Sequence, residues 1–528
     1  MTQPTERDEH HAFIGSAKII AACTLLSRVL GMVRDVAMAA FFGAGPVSDA
    51  FFTAWRIPNL FRRLFGEGAV SSALVPTFTE SIRTRDDAST QTLFSVTFTV
   101  WFILLAALTL LLEAVIVGLS FTNVFGDRTQ LLLKYAAILS PYMMLICLAA
   151  FFMGVLNAHR HFFAPALMPV MLNVVWIAAL AAFFLLGTSD TRKAGVWLAI
   201  AVLIGGAVQV LMQIPYARRF GVRLRPSLDV AHPGFRQILV LMGPVILGSA
   251  VVQINTLVDG MLAYYLVPGE GAATFLFYGN RLDQFPLAII GVAISTAVLT
   301  PLSEHAAAND LPRFKRTLAS ALRMTLFLGI PAAVGLMVLC VPIIEVIFQR
   351  REFLRADAIR TAWVLFFYGM AVWAHAGVFV ILRAFYALKD TRTPPKVAAW
   401  MVLLNLALNL TLVWPLKEGG LALATSLCGG VQLAILILVL RRRIGLMGAR
   451  GIILTGVKTA LVSLAMGAAA FAGWYWFWPT GARTIVRVGM LIVLLVVAVG
   501  IFIGGSLLLR MPELKQVVRL RKRKSEQP

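Results

Sequence analysis

Long apolar runs separated by short polar stretches recur along the whole chain. A membrane-crossing helix needs about 20 predominantly apolar residues. On that measure the pattern predicts about fourteen spans, near 17–42, 48–80, 90–118, 130–157, 163–187, 194–217, 236–266, 271–303, 316–348, 358–388, 396–415, 419–440, 452–477 and 485–509. The expected class is an all-α polytopic membrane protein. Two of these runs, the first and second, are interrupted by several charges.

Composition agrees with the pattern. The 528 residues are 59% hydrophobic and 14% charged, with mean hydropathy +0.84, against about 45–50% and about 25% in soluble domains. A net charge of +22 would suggest nucleic acid in a soluble protein. Here Lys and Arg gather in alternate loops, which is how membrane topology is written. One side holds Arg83/Arg85, Arg160, Arg218/Arg219/Arg223/Arg225, Arg313/Lys315/Arg316, Lys389/Arg392/Lys396, Arg441/Arg442/Arg443 and the tail RLRKRK at 519–524. That side is expected to be cytoplasmic, with both termini on it. QRREFLR (349–355) breaks the rule by placing arginines outside. The start, MTQPTERDEHHAF, lacks the basic region and short apolar core of a signal peptide, so the first run reads as a retained helix. The four cysteines lie far apart in apolar runs and read as core residues.

The chain also repeats itself. DAFFTAWRIPN…SSALVPTFTE resembles AATFLFYGNRLDQFP…ISTAVLTPLSEH, with 225 positions from Arg56 to Arg281 and from Pro76 to Pro301. LNAHRHFFAPA aligns with YALKDTRTPPK, Pro165 and Pro395 lying 230 apart. Six spans per repeat is an even number, so the two lobes are expected to share one orientation about a pseudo-twofold along the membrane normal. The predicted parts are 1–230 (first lobe), 231–445 (second lobe) and 446–528 (two surplus spans and a basic tail).

Enzyme signals are weak. GIILTGVKT (451–459) nearly spells a phosphate-binding loop, but Val457 separates Gly456 from Lys458 and no strand precedes it. It reads as a helix start. His159 and His161 are two apart and would face different sides of a helix. No HExxH, GxSxG or DDxxD motif appears.

The charges inside spans are the informative feature. The first span holds Arg28, Arg34 and Asp35; the second holds Asp49, Arg56, Arg62, Arg63 and Glu67. Seven-residue spacing puts Arg28 with Asp35, and Asp49 with Arg56 and Arg63, on shared helix faces. Arg63/Glu67 is a favourable i,i+4 pair. Pro58 is expected to loosen the second stripe. An Arg at the centre of a membrane helix costs about 2.5–3.5 kcal/mol, so these residues must face partners or a watery interior. One reading is internal ion pairs, such as Arg34–Asp49, that stitch helices together. The other is an anionic guest, because Arg28, Arg34, Arg56, Arg62, Arg63 and Arg281 outnumber Asp35, Asp49, Glu67 and Asp283. The guanidinium fork suits a multi-oxygen anion such as phosphate.

SRVLGMVRD, FGAGPVSDAFF, RIPNLFRRLFGEGAVSSALVP, NRLDQFPLAIIGVA and RAFYALKDTRTPPK resemble the MurJ (MviN) lipid II flippase family, of the multidrug/oligosaccharidyl-lipid/polysaccharide exporter superfamily. The resemblance implies two six-helix lobes around a central cavity, and two C-terminal helices forming a groove for the lipid tail. It implies alternating access, with no bond made or broken. The family's cavity residues fall on Arg28, Arg34, Arg62 and Arg281, with Asp35 and Asp49 as acidic companions; Arg56, Asn59, Arg63, Glu67 and Asp283 lie beside them. The helical stripe favours Arg63 over Arg62; the resemblance favours Arg62. Gln284 stands where the family often has an acid. No cofactor is implied beyond a monovalent cation such as sodium, for which the matching positions are Asp259, Asn405, Asn409 and Thr425; Asn409 replaces what can be an aspartate. Expected partners are lipid II, membrane lipids and other cell-wall synthesis proteins, in the bacterial inner membrane. The rival readings are a flippase for another polyprenyl-diphosphate-linked oligosaccharide and a drug/cation antiporter. A cationic-drug antiporter would want an acidic cavity, which this chain lacks.

Overall fold

The computed structural model describes residues 6–516 except positions 85 and 123, and leaves out the side chains of residues 6–17, 66, 67, 69, 71, 244, 247, 251 and 252. The basic tail at 519–524 lies outside the described residues. Every regular element described is helical. Packing divides the chain into two compact units, before and after the Tyr264–Tyr265 bond.

The first unit contains α1 (Glu6–Phe42), then α2 (Pro46–Phe61), which runs through a π-helical segment (Arg62–Leu74) into α3 (Val75–Thr84). There follow α4 (Asp87–Ser120), α5 (Asp127–Leu139), α6 (Pro141–Ala158), α7 (Phe163–Leu185), α8 (Thr191–Leu211), α9 (Ile214–Arg219) and α10 (Pro233–Leu266). The second unit contains α11 (Ala272–Pro286), a π-helical segment (Leu287–Val292), α12 (Ala293–Ala307), α13 (Leu311–Val338), α14 (Cys340–Phe348), α15 (Arg355–Gly369) and α16 (Val372–Ala387). It ends with α17 (Thr393–Leu416), α18 (Glu418–Ile444), α19 (Ala449–Phe477) and α20 (Thr484–Leu508).

Local chemistry repeats with the element order. The π segments begin at Arg62 and Leu287, the same 225 positions apart as the sequence repeat. Asp86 caps α4 by accepting from the Ser89 backbone N–H at 3.3 Å, and Asp310 caps α13 by accepting from that of Arg313 at 3.0 Å. α6 and α16 each end on a basic residue with positive φ, Arg160 at 59° and Lys389 at 61°. In both turns the next N–H reaches back five residues, His161 to the Leu156 carbonyl and Asp390 to that of Phe385.

Among the described residues, 11 helices are long and apolar enough to cross a membrane, or 12 if the α15–α16 pair, bent by 42°, counts as one. α1 and the α2–α3 run lie outside that set and are the two expected spans interrupted by charge. The count therefore agrees roughly with fourteen. One boundary differs: the span expected at 316–348 breaks at Leu339, leaving α14 as a separate short helix.

α19 and α20 are bound to the second unit. A methyl group on Gly467 would fall 2.7 Å from Val334 Cγ1, and one on Gly505 2.7 Å from Val462 Cγ1, so α13, α19 and α20 approach closely. Phe327, Val462, Met466, Leu494, Ala498 and Phe502 fill the seam. Buried acids pin both ends. Glu345 accepts from Trp478 Nε1 at 2.8 Å and Arg355 Nε at 3.2 Å, with Arg487 at 3.9 Å. At the far end Glu513 accepts from Thr455 at 2.9 Å, with Arg323 at 3.8 Å. These contacts give QRREFLR a local reason: Arg355 neutralises Glu345, while Arg350 caps α14 by donating to the Val346 and Ile347 carbonyls. GIILTGVKT lies at the start of α19, and Lys458 donates to the Leu509 carbonyl at 3.2 Å.

Candidate functional site

In the first unit the charged stripe of α2 is a seam against α10. Arg56 Nη1 donates to the Thr256 carbonyl at 2.7 Å, and Arg63 Nη1 to Gln253 Oε1 at 3.4 Å. Asp49 pairs with Arg128 at 3.5 Å; that guanidinium lies 4.4 Å from the ring centroid of Tyr264, whose hydroxyl donates to the Arg128 carbonyl at 2.5 Å. Positions 56 and 63 thus meet 256 and 253 directly, and 49 reaches 264 through Arg128, in antiparallel order. The seven-residue spacing carries through Pro58 as far as Arg63, although the backbone turns π-helical from Arg62, four residues past the proline. Gly260 completes the seam, since a methyl group on it would fall 2.4 Å from Arg56 Nε. Arg62 lies off this stripe and donates through Nε to Asn59 Oδ1 at 2.9 Å, on its own helix. The backbone at Glu67 is π-helical, and its side chain, with the expected Arg63/Glu67 pair, lies outside the described residues.

Arg34 is buried and fully engaged. Its Nε and Nη2 donate to Asp35 Oδ1 at 3.0 and 2.7 Å, its Nη1 donates to Asn173 Oδ1 at 3.1 Å, and its guanidinium lies 4.6 Å from the Trp176 ring centroid. Asn173 in turn donates to the Ser27 carbonyl at 3.1 Å, tying α7 to α1. The expected Arg34–Asp49 pair is therefore corrected. Arg34 binds its chain neighbour and α7, because Asp35 is only one residue away; Asp49 takes Arg128, a residue 79 positions on that no local spacing could reveal. Arg28 shares the α1 face with Asp35 but lies two turns away, where the helix is exposed, and it makes no ion pair among the described residues.

In the second unit Arg281 is half-buried on α11, while Asp283 is 3% exposed and its Oδ1 has no hydrogen-bond partner among the described residues. Gln284 is exposed and donates to Asn280 at 2.6 Å. Asn405 and Asn409 are buried: Asn409 Nδ2 donates to Asn405 Oδ1 at 2.8 Å, and Asn405 Nδ2 to Thr425 at 3.4 Å. These three join α17 to α18 as a neutral hydrogen-bonded cluster. Asp259 is a buried residue of the first unit. No group of three or more His, Cys, Asp or Glu among the described residues could hold a metal ion. His159 and His161 stack on Phe220 and Tyr216, with centroids 4.9 and 4.8 Å apart. All four cysteines are buried and free.

Known proteins share both the sequence and the fold. A family model described as lipid II flippase MurJ matches residues 38–487. The probable lipid II flippase MurJ of Vibrio cholerae is 36% identical over 438 residues, covering 80% of this chain and 81% of that protein. The corresponding protein of Rhizobium meliloti is 34% identical over 507 residues, covering 92% and 93%. A solved structure of lipid II flippase MurJ in an inward closed conformation matches with TM-score 0.74 and 27% identity, over 92% of this chain and 98% of that one. A multidrug resistance MATE family transporter of the MOP superfamily, inward-facing, shares the fold at TM-score 0.64 and 12% identity, over 82% and 98%.

Proposed function

The chain belongs to the lipid II flippase MurJ family, and from that premise we propose how its own residues serve the task. It is a transporter rather than an enzyme: a multi-pass membrane protein that carries lipid II, the lipid-linked peptidoglycan precursor, from the cytoplasmic to the periplasmic leaflet. A diphosphate and its glycopeptide head cannot cross hydrocarbon unaided, because burying unpaired charge is prohibitive.

The observation that carries the residue-level reading is the division among the arginines. Arg34, Arg56 and Arg63 are held by neighbouring helices, whereas Arg28 is exposed on an apolar helix with no ion pair among the described residues. We assign the grip on the diphosphate to Arg28 on this observation, and propose Arg62 and Arg281 for it from the family resemblance alone. Arg34, Asp35, Asp49, Arg56 and Arg63 set the helices that present them; Asn59 orients Arg62. Glu67 and Asp283 belong to the same reading as the acids nearest these cations in sequence. α19 and α20 supply the groove for the polyprenyl tail, since 488–509 contains no charged side chain.

Transport follows alternating access and draws on the membrane potential rather than nucleotide, each elementary charge being worth about 2.3 kcal/mol per 100 mV. Asn405, Asn409 and Thr425 act as packing, and a sodium requirement would overturn that assignment. Both termini lie in the cytoplasm by the Lys/Arg distribution. Cell-wall synthesis proteins that consume lipid II are the partners proposed on the other side. Depleting the protein in cells should trap lipid II on the cytoplasmic face; unchanged delivery to the outer face would contradict the function.

A further inference from the structure

The second unit carries a cleft lined by none of the residues assigned above to the transported lipid. Its cavity is about 390 Å³, walled by Val341, Ile359, Trp363, Phe366 and Leu416, with Arg360, Lys417 and Glu418 also lining it. That size falls within the roughly 300–1,000 Å³ of small-ligand sites. Lys417 lies at the turn between α17 and α18, at the opposite end of α17 from Lys389, Arg392 and Lys396. Trp363 and Trp414 are 44% and 66% exposed there, and exposed tryptophans on membrane helices mark the headgroup boundary.

The three charges of the cleft are not equivalent. Arg360 and Glu418 cancel through two hydrogen bonds of 2.8 and 3.0 Å, and Arg360 also donates to the Glu270 carbonyl at 3.0 Å and covers the Phe275 ring at 4.6 Å. Lys417 is exposed, with no ion pair among the described residues, so the cleft is left with one net positive charge. Its backbone is also unusual, with φ 52° and ψ −133°, a region that favours glycine. The turn is fixed from both sides. Glu418 is gripped by Arg360, and a methyl group on Gly420 would fall 2.1 Å from the Leu412 carbonyl oxygen. A strained lysine at the rim of an aromatic cleft, at headgroup depth, is an arrangement suited to a ligand that is both anionic and apolar.

We propose that this cleft binds an anionic glycerophospholipid of the non-cytoplasmic leaflet, with its phosphodiester on the Lys417 ammonium and an acyl chain against Ile359, Trp363 and Phe366. The net charge favours an anionic over a zwitterionic headgroup, and the open, membrane-level mouth favours a bilayer lipid over a soluble anion. The test is native mass spectrometry of the full chain in detergent, titrated with phosphatidylglycerol or with phosphatidylcholine of the same acyl chains. Phosphatidylglycerol should be retained at roughly tenfold lower concentration, the worth of one charged hydrogen bond. Lys417→Gly should erase that preference without lowering the melting temperature, because it relieves the backbone; Lys417→Arg should keep it. Ile359→Trp should weaken both lipids by filling the cleft. Equal retention of the two lipids, a preference that survives Lys417→Gly, or stronger retention of a polyprenyl phosphate at this site would each overturn the proposal. None of these readouts involves lipid II movement.

Discussion

The α2–π–α3 run of the first unit and the α11–π–α12 run of the second have the same broken backbone and different chemistry. Both pass from α-helix into a π segment at equivalent positions of the repeat, and both carry a proline near the change, Pro58 or Pro286. The first run carries far more charge: Asp49, Arg56, Arg62, Arg63 and Glu67 within it and Glu80 and Arg83 near its end stand against Arg281, Asp283 and Glu304. The difference separates what duplication supplies from what function requires. The break recurs because it is local: each run carries a proline within four residues of the change, Pro58 before Arg62 and Pro286 before Leu287, whose missing N–H and crowded ring disturb the helix there. The charges are not local: Arg56 and Arg63 find α10, and Asp49 finds α5.

The strongest way to break this contrast is to remove an engaged cation from the first unit. Arg34→Ala leaves the buried Asp35 without its guanidinium and should cost about 3–5 kcal/mol, as for other buried pairs stripped of one partner. Loss of folded protein in membranes and a lowered melting temperature are expected. The double change Arg34→Met with Asp35→Asn should recover much of the yield. No recovery would mean that the α1–α7 contact, rather than the charge, holds the fold.

Gly260→Ala sharpens the contrast at the seam. A methyl group 2.4 Å from Arg56 Nε forces that side chain or α10 to move, for about 1–3 kcal/mol. Hydrogen exchange should rise in α2 and α10 while α11 stays unchanged. Equal change in α11 would argue against a seam confined to the first unit.

The smallest effect belongs to a pair of equivalent loops. After α6 and α16 the chain makes the same turn, but His161 stacks on Tyr216, whereas Asp390 accepts from the backbone N–H groups of Arg392 and Thr393 at 3.0 Å each and meets Arg443 at 2.5 Å. Partial burial pushes the Asp390 carboxyl up, but the Thr393 and Arg392 hydrogen bonds and the Arg443 charge together hold it below its ordinary value. A depressed carboxylate stabilises the fold above the unfolded value and loses that contribution as pH falls through the folded one. Asp390→Ala should therefore cost about 1 kcal/mol at neutral pH, mostly from the two backbone hydrogen bonds since Arg443 is half-exposed. The difference from wild type should vanish only in acid, below the usual carboxylate range. A pH-independent difference in melting temperature would contradict this account.

The spans, the repeat and the charge surplus were legible in the sequence because each is periodic or compositional. The α10 seam was half-legible: spacing put Asp49, Arg56 and Arg63 on one face without saying what the face meets. The Asp49–Arg128 pair was not legible, since 79 positions separate residues that only packing brings together. Arg34 pairing with its own neighbour was overlooked for the opposite reason: adjacent side chains diverge on an ideal helix, yet a long guanidinium curls back when Asn173 and Trp176 fix it. The break at Leu339 was hidden because α13 and α14 form one continuous apolar run. Arg62 and Arg63 are separated by what they touch, Asn59 on the same helix and Gln253 on α10.

Arg28, exposed on α1 with no ion pair among the described residues, is the arginine whose role for an anionic guest one substitution can decide. Purified wild type, Arg28→Ala and Arg28→Lys would be reconstituted into vesicles, and the exposure of lipid II head groups on the far leaflet followed over time. Arg28→Ala should fold as wild type does but flip roughly ten- to a hundredfold more slowly, the loss of one charge-assisted contact. Arg28→Lys should recover only part of the rate, because lysine keeps the charge and loses the fork. Flipping by Arg28→Ala at the wild-type rate would contradict the account.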